Sequence, residues 1–549
     1  MPKKILIIGG SAAGASAAAK ARRCDETAEI TMIEKGPYIS YASCGIPFYV
    51  GGDIKHKMDL IHHTPESFFD RYRVNVVVDC CAISIDRANK IVYAKSGDRD
   101  SQFNYDSLVL ATGTENILPP IDGIDRTLYF HMTSIADGEK IYQFIRENKV
   151  KKAAIIGGGY IGIEAAEALY NCNIEVVVIE ALDMILANYP KLFAKEIKKE
   201  MERCGLKVNV NRKVKKIEQK GKVNNIYMEN DEVVEVDMII LATGVKPNIK
   251  IAKECGLTID DTGGLMVNEN MQTNDISIYA AGDTVSKKNI ITQKRVLLPL
   301  AGPANREGRI AGCNAAGGNM KFPGVIGTSI VRFNGLVLAG CGITLESALK
   351  EGFDVDYVYI IQPHHTIYYP GAEDIFLEVV FDRRSGKILG SFAIGKQDIA
   401  RRIDMIATAI YGGMCVDDLA YVDYCYAPPF GTPKDIVNIA GYVAGNIIRN
   451  EFNCVNPEDV IKNKIYNAQI LDVRNYDEVK KDSFKGALNI PLGDLRDSLD
   501  ELDKNRPVVT FCSIGYRSYL AVKILQNNGF EAYNIKGGFN SLKKILEDK

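Results

Sequence analysis

Short apolar runs that end in glycine-rich turns punctuate this chain. Ile5 to Ile8 is followed by Gly9-Gly10-Ser11-Ala12-Ala13-Gly14 and then by an alanine-rich stretch to about Arg23. That order predicts a buried strand, a tight turn and a helix, with a second strand from Ile30 to Ile33 ending at Glu34. The same order returns from Ala153. A strand to Ile156 is followed by Gly157-Gly158-Gly159-Tyr160-Ile161-Gly162, a helix through Glu164 to about Tyr170, and a strand from Val176 to Ile179 ending at Glu180. Two more apolar strands end in matching loops, Ala111-Thr112-Gly113 and Ala242-Thr243-Gly244. The pattern predicts an α/β chain containing two Rossmann-like dinucleotide-binding domains.

From about residue 325 to 445 the pattern turns strand-rich and then helical, the mark of an α+β unit. Arg449 to Glu458 is charged and contains asparagine, and reads as a linker. The last ninety residues alternate apolar strands (Gln469 to Val473, Pro507 to Phe511) with charged helical stretches, a small separate α/β unit. The expected division is 1–113 with 246–322, then 114–245, 323–446, a linker at 447–458, and 459–549.

The repeated turns have a physical rationale. Gly9 and Gly157 permit the tight turn, Ser11 and Gly159 are small enough for backbone to approach a pyrophosphate, and Gly14 and Gly162 let helix pack on strand. The helix N-terminus then offers N–H groups to the anion. Glu34 follows Gly14 by 20 residues and Glu180 follows Gly162 by 18, positions from which each accepts hydrogen bonds from a ribose. Glu180 would repel a 2'-phosphate, which favours NADH and disfavours NADPH.

Composition narrows the field further. Of 549 residues, 46% are hydrophobic and 25% charged, with a net charge of -2, so there is no electrostatic case for nucleic acid or an anionic membrane. No apolar run approaches a membrane span, and MPKKILIIGG reads as a first strand rather than a signal peptide, so a cytoplasmic location is expected. The 13 cysteines contain no CxxC pair and only six histidines are present, so neither a disulfide framework nor a metal site is expected. Cys80-Cys81 read as structural residues in a strand, and Cys425, beside Tyr426, either as a core residue or as a neighbour of the active site, core packing being favoured.

Thr273-Asn274-Asp275-Ile276-Ser277-Ile278-Tyr279-Ala280-Ala281-Gly282-Asp283 resembles the segment with which FAD-dependent pyridine nucleotide–disulfide oxidoreductases hold the flavin ribityl chain. The resemblance covers about residues 1 to 445. It implies FAD on the first unit, with contacts at Gly9, Ser11, Ala13, Gly14, Glu34, Lys35, Ala111, Thr112, Gly113, Asp283 and Ala301. It implies a nicotinamide cofactor on the second, at Gly157, Gly159, Tyr160, Ile161, Gly162, Glu180 and Gly244, with Tyr160 as an aromatic gate over the flavin.

Ser40-Tyr41-Ala42-Ser43-Cys44-Gly45-Ile46-Pro47 carries one cysteine where the disulfide reductases of that family carry two. A flavin and a helix N-terminus beside Cys44 would favour a nucleophilic thiolate. Its oxidised form must then be a mixed disulfide, a persulfide or a sulfenate. SxxxCGxP is similar to the single-cysteine coenzyme A-disulfide reductases and their persulfide- and polysulfide-reducing relatives. The oxidase and peroxidase branch, the alternative reading, carries a histidine where this chain has Ala12. Tyr368-Tyr369-Pro370-Gly371-Ala372 and Tyr426-Ala427-Pro428-Pro429-Phe430 resemble stretches from which Tyr368 and Tyr426 reach the partner subunit's cysteine in a homodimer. The resemblance also implies coenzyme A contacts at Arg22, Ser40 and Arg71.

The tail segment Cys512-Ser513-Ile514-Gly515-Tyr516-Arg517-Ser518 resembles the rhodanese loop CxxGxRS, with Leu471 to Arg474 and Gly486 to Leu492 as further landmarks. A loop curled around a cysteine at a helix start aims N–H groups at the sulfur, which suits a persulfide anion. Cys512 is thus the second expected sulfur site and Arg517 a substrate contact. The whole implies NADH-driven reduction of small sulfur substrates at Cys44, through FAD, next to a sulfane-sulfur-carrying rhodanese domain.

Overall fold

The computed structural model describes residues 1–465 and 467–546. It contains two compact units, 1–187 with 198–325, and 188–197 with 326–549. Among the described residues no helix is long and apolar enough to cross a membrane.

In the first unit, the strands Lys4–Ile8, Glu29–Ile33, Asn75–Val77, Ser107–Leu110 and Ile278–Ala280 form one parallel sheet with Lys4–Ile8 at its centre. All four residues from Ile5 to Ile8 are buried, as expected of a parallel strand covered on both faces. A second parallel sheet is built the same way around Lys152–Ile156, flanked by Glu175–Ile179 and Met238–Leu241, with Lys207–Asn209 at its edge. Each central strand runs through a glycine turn into a helix, Ala12–Cys24 in one case and Tyr160–Asn171 in the other. The predicted duplication is therefore present in the geometry.

In the second unit, Ser329–Phe333, Leu336–Gly342, Val355–Pro363, Asp374–Asp382 and Ile388–Gly395 form an antiparallel sheet, with the helices Ile399–Tyr411 and Ile436–Ile448 after it. The tail has its own parallel five-stranded sheet centred on Val508–Phe511.

Two expectations change. The stretch read as a linker contributes strand Cys454–Val455, paired with Ala532–Ile535 in the tail sheet, and helix Pro457–Ile461. Only residues 449–453 connect the last helix of the antiparallel unit to that sheet. Nor is the tail a tethered body: Val443 and Ile447 of that helix pack on its core, and buried Lys536 pairs with buried Asp356 of the antiparallel sheet. Polar composition mimicked a linker because this segment is an edge strand and a first helical turn. Cys81 begins a strand, but Cys80 lies just before it, buried, while Cys81 and Cys425 are exposed.

Candidate active site

Gly9 and Gly157 adopt φ of 104° and 110°, and a Cβ on them would stand 2.1 and 2.2 Å from the carbonyl oxygens of Ala111 and Ala242. Only glycine fits either turn. The acids that close the following strands are held alike. Glu34 accepts from the N–H groups of Gly10 (2.7 Å) and Gly36 (2.8 Å), and Glu180 from those of Gly158 (2.6 Å) and Leu182 (2.8 Å). These bonds fix each carboxylate at the mouth of its turn and leave lone pairs for a ribose.

Ser11 and Gly159 cap the two helices without a side-chain hydrogen bond, and neither helix has an acidic residue in its first turn. By contrast, the helices beginning at Pro65, Ile135, Leu345 and Ile436 are capped by Thr64, Ser134, Thr344 and Asp435. The N–H groups of the two turn helices are left for an anion, as a dinucleotide pyrophosphate requires. Ala13, Gly14, Ile161 and Gly162 lie in these first turns, and Tyr160 opens the second helix. Lys35 is exposed one residue past Glu34.

Asp283 supplies a further test of fit. Its Oδ1 is buried without a hydrogen-bond partner, and burial raises its pKa against the pull of Lys287. A buried carboxylate oxygen left open is costly unless a ligand donor completes it, and a ribityl hydroxyl would. The loop around it is locked by residues the sequence reading missed. Buried Lys287 donates to the Gly282 carbonyl (2.7 Å) and pairs with buried Glu307 (3.4 Å), which accepts from the Gly282 N–H (2.9 Å). Thr112 donates to Asn248 O (2.7 Å), joining the Ala111–Gly113 loop to the return of the chain. Ala301 begins the helix that carries Glu307, and Gly244 has φ 94° in the matching loop of the second sheet.

Cys44 lies in a short turn, Ser43–Gly45, ahead of the helix Ile46–Val50. It is exposed, and its Sγ has no hydrogen bond among the described residues. The segment before it is zipped to residues 60–62: Ala42 N donates to Leu60 O (2.8 Å) and His62 N to Ser40 O (2.9 Å). Ser40 sits at φ 46°, a left-handed conformation that a serine holds only when its surroundings impose it. Tyr49 stacks on Tyr142 at 5.3 Å, and Lys57 pairs with Glu139, fixing the far side of the loop. Tyr41 is pushed up to about 12 by burial and then by Glu34.

Glu164, which in the sequence is only a residue of the predicted helix, lines a small cavity with Pro47, Phe48 and Glu167. Burial, and then Glu167, pushes it up to about 7. Spacing alone carries no signal for this, because the shift comes from the Cys44 helix packing over it.

Arg22 is corrected. It is 8% exposed and donates to the carbonyls of Tyr72, Asp25, Glu26 and Arg73. Four carbonyls use most of the guanidinium's donors, so it ties the end of the first helix to its neighbour rather than facing a ligand. Arg71 is exposed on the helix Pro65–Tyr72.

In the second unit, Tyr368 and Tyr426 stand with hydroxyls 3.3 Å apart, and both are exposed. The hydrogen bond between them lowers the Tyr368 pKa and raises that of Tyr426. In the tail, Cys512 is 1% exposed and its Sγ accepts the Gly515 N–H at 3.1 Å. Arg517 is clamped by Glu478 through bonds of 2.6 and 2.7 Å, and Ser513 donates to the same carboxylate (2.9 Å). Those bonds, the Arg517 one first, pull Glu478 down to about 2.

Comparison with known proteins agrees with this geometry. The family model of the pyridine nucleotide-disulphide oxidoreductases matches residues 3–308, its dimerisation domain 328–435, and a rhodanese-like domain 457–545. The chain belongs to the pyridine nucleotide-disulphide oxidoreductases. Membership implies FAD and a pyridine nucleotide. The crystal structure of reduced Bacillus anthracis CoADR-RHD is similar over 100% of this chain and 99% of that one, at 33% identity and a TM-score of 0.97. That of an NAD-dependent persulfide reductase from A. fulgidus covers 97% and 99%, at 35% identity and a TM-score of 0.90. A CoA-dependent NAD(P)H sulfur oxidoreductase of Pyrococcus furiosus is 37% identical over 439 residues, 79% of this chain and 97% of its own. A Methanocaldococcus jannaschii protein named NADH oxidase is 35% identical over 440 residues, 80% and 97%.

Proposed function

We propose that this oxidoreductase uses NADH to reduce sulfur–sulfur bonds at Cys44, its substrates being coenzyme A persulfide, polysulfide or coenzyme A disulfide. The observation that carries the reading is the pairing of a single exposed Cys44, with no second cysteine in its segment, with Cys512 in a rhodanese loop on the same chain. The relatives named for coenzyme A-dependent sulfur and persulfide reduction support it.

The flavin, when bound, carries the electron pair from nicotinamide to sulfur. The protein's own part is positional. Gly9, Ser11, Gly14, Glu34 and Asp283 hold one dinucleotide, and Gly157, Gly159, Gly162 and Glu180 the other. Cys44 attacks the outer sulfur of the substrate and releases a thiolate. Tyr368 and Tyr426, in a homodimer of the dimerisation domain, donate hydrogen bonds to that leaving sulfur from the partner subunit. Ser40 and Arg71 face the coenzyme A arm. Cys512 takes up sulfane sulfur under the Gly515 N–H. Because the tail is docked rather than tethered, a small thiol such as coenzyme A suits the transfer better than a swinging domain. We propose the same domain division as the sequence reading, with residues 449–453 as the connection to the tail.

The NADH oxidase reading has the names of relatives behind it, the Methanocaldococcus jannaschii protein among them. Against it, Ala12 offers no proton where that branch places its histidine. NADH consumption by the purified chain with coenzyme A persulfide, polysulfide, oxygen and peroxide decides between them. Turnover with sulfur substrates that is lost in Cys44→Ser supports the proposal; turnover with oxygen or peroxide alone overturns it.

A further inference from the structure

Cys24 and Cys313 lie 289 residues apart in the chain, yet their Sγ atoms stand 3.2 Å apart. Both thiols are free, and neither has a role in the proposed reaction. Cys24 ends the helix Ala12–Cys24, which starts at the first glycine turn, and Cys313 lies near the end of the helix Ala301–Ala315.

The two helices run in the same direction in backbone contact. A Cβ on Gly308 would stand 2.1 Å from Ala13 O, and one on Gly312 the same distance from Ala17 O. This seam of small residues fixes the helix separation, so the cysteines are presented to each other by rigid elements. Their sulfurs are only about 1.2 Å farther apart than in a disulfide bond.

The surroundings are asymmetric. Cys24 is exposed, while Cys313 is 7% exposed and walled by the turn at Gly318, where a Cβ would stand 2.5 Å from its Sγ. Burial, and then Cys24, raises the Cys313 thiol, against the opposing pull of Lys20 and Arg309. The exposed Cys24 is thereby the thiol that meets an oxidant, and the buried Cys313, beside it, the one that resolves the product.

We propose that Cys24 and Cys313 form a reversible disulfide, a second redox site that staples the two helices of the flavin-binding half when low-molecular-weight disulfides accumulate. Cys24 attacks a disulfide RSSR and releases RS⁻, giving Cys24–S–SR. Cys313 attacks Cys24 Sγ, expels a second RS⁻ and closes the bond. In sum, RSSR and two cysteine thiols give one protein disulfide and two RSH, and RSSR takes up the electron pair. The step needs neither Cys44 nor nicotinamide, so it stands or falls apart from the proposed reductase activity.

The test uses the full-length FAD-bound chain, as wild type and as Cys44→Ser, incubated without NADH with coenzyme A disulfide or oxidised glutathione. Non-reducing peptide mapping should show the Cys24 and Cys313 peptides linked in both proteins, with reversal by dithiothreitol. The melting temperature of the oxidised form should rise by about 5 °C, as expected for closure of a long loop. The rise should be absent in Cys24→Ser, an exposed position where folding is not at risk, and in Cys313→Ala. Absence of the linked peptide, or Cys24 remaining as a stable mixed disulfide, overturns the proposal. A linked peptide with no rise in melting temperature overturns the staple role.

Discussion

Lys536, the residue after the last strand of the rhodanese-like sheet, forms a buried ion pair with Asp356 in the dimerisation sheet, its ammonium 4.0 Å from the Tyr357 ring centroid. Arg383 also reaches Asp356, at 2.6 Å. Burial raises the Asp356 carboxyl, but these cations more than offset it and its pKa is lowered. Removing Lys536 leaves buried Asp356 with only the more exposed Arg383 as a partner, at a cost of about 2 kcal/mol. Lys536→Met should therefore loosen the tail, seen as faster proteolysis at residues 449–453 and an earlier denaturant midpoint. Unchanged proteolysis would mean that the apolar contacts of Val443 and Ile447 suffice.

Glu378 in the same sheet gives a pH dependence. Burial pushes its carboxyl up to about 7 from 4.5, against the opposing pull of Lys536. The folded chain therefore keeps a proton that the unfolded chain loses between those values. Its contribution is full below 4.5 and lost as pH rises through 7, on the order of 3 kcal/mol in all. Glu378→Gln should be more stable than wild type above pH 7 and similar below 4.5. Parallel stability curves for the two proteins across that range would contradict the assignment.

The clamp of Glu478 on Arg517 neutralises a cation of the Cys512 loop. Glu478→Gln should expose that charge to anionic donors and raise sulfur uptake from thiosulfate about fivefold, equivalent to about 1 kcal/mol. Uptake by single-turnover labelling of Cys512 measures it. A fall in uptake would show that the carboxylate serves only to hold the arginine in place.

Tyr368→Phe and Tyr426→Phe should each slow cleavage of the sulfur–sulfur bond by tenfold or more, about the worth of a proton-donating contact. Flavin reduction by NADH should keep its wild-type rate. Stopped-flow separation of the half-reactions is decisive: a loss confined to flavin reduction would remove the tyrosines from the sulfur step.

If Glu180 accepts from the 2'-OH of the cofactor's adenosine ribose, wild type should prefer NADH, and Glu180→Ala should narrow the preference by about tenfold in kcat/KM. A wild type that prefers NADPH would contradict this reading.

The two dinucleotide units were legible because their signals are local: a strand, a turn that only glycine fits, and an acid about twenty residues on. The Cys512 loop was legible for the same reason. What escaped depends on partners far apart in the chain. Lys287 and Glu307 look like ordinary surface charges until Gly282 is placed between them. Arg22 had the composition of an anion contact, but its helix end sits over four open carbonyls. Glu164 became unusual only once the Cys44 helix closed over it. The false linker shows the converse error, since polar residues on an edge strand look like solvent-exposed chain.

Cys44 and Cys512 sit at different depths, one exposed and the other 1% exposed beneath its loop. Depth makes the two sulfurs chemically separable in the intact molecule. A bulky maleimide should block Cys44 together with the other exposed thiols, Cys24, Cys81 and Cys425, while leaving Cys512 to smaller reagents, so the chemistry of the buried sulfur can be read alone by choice of label size.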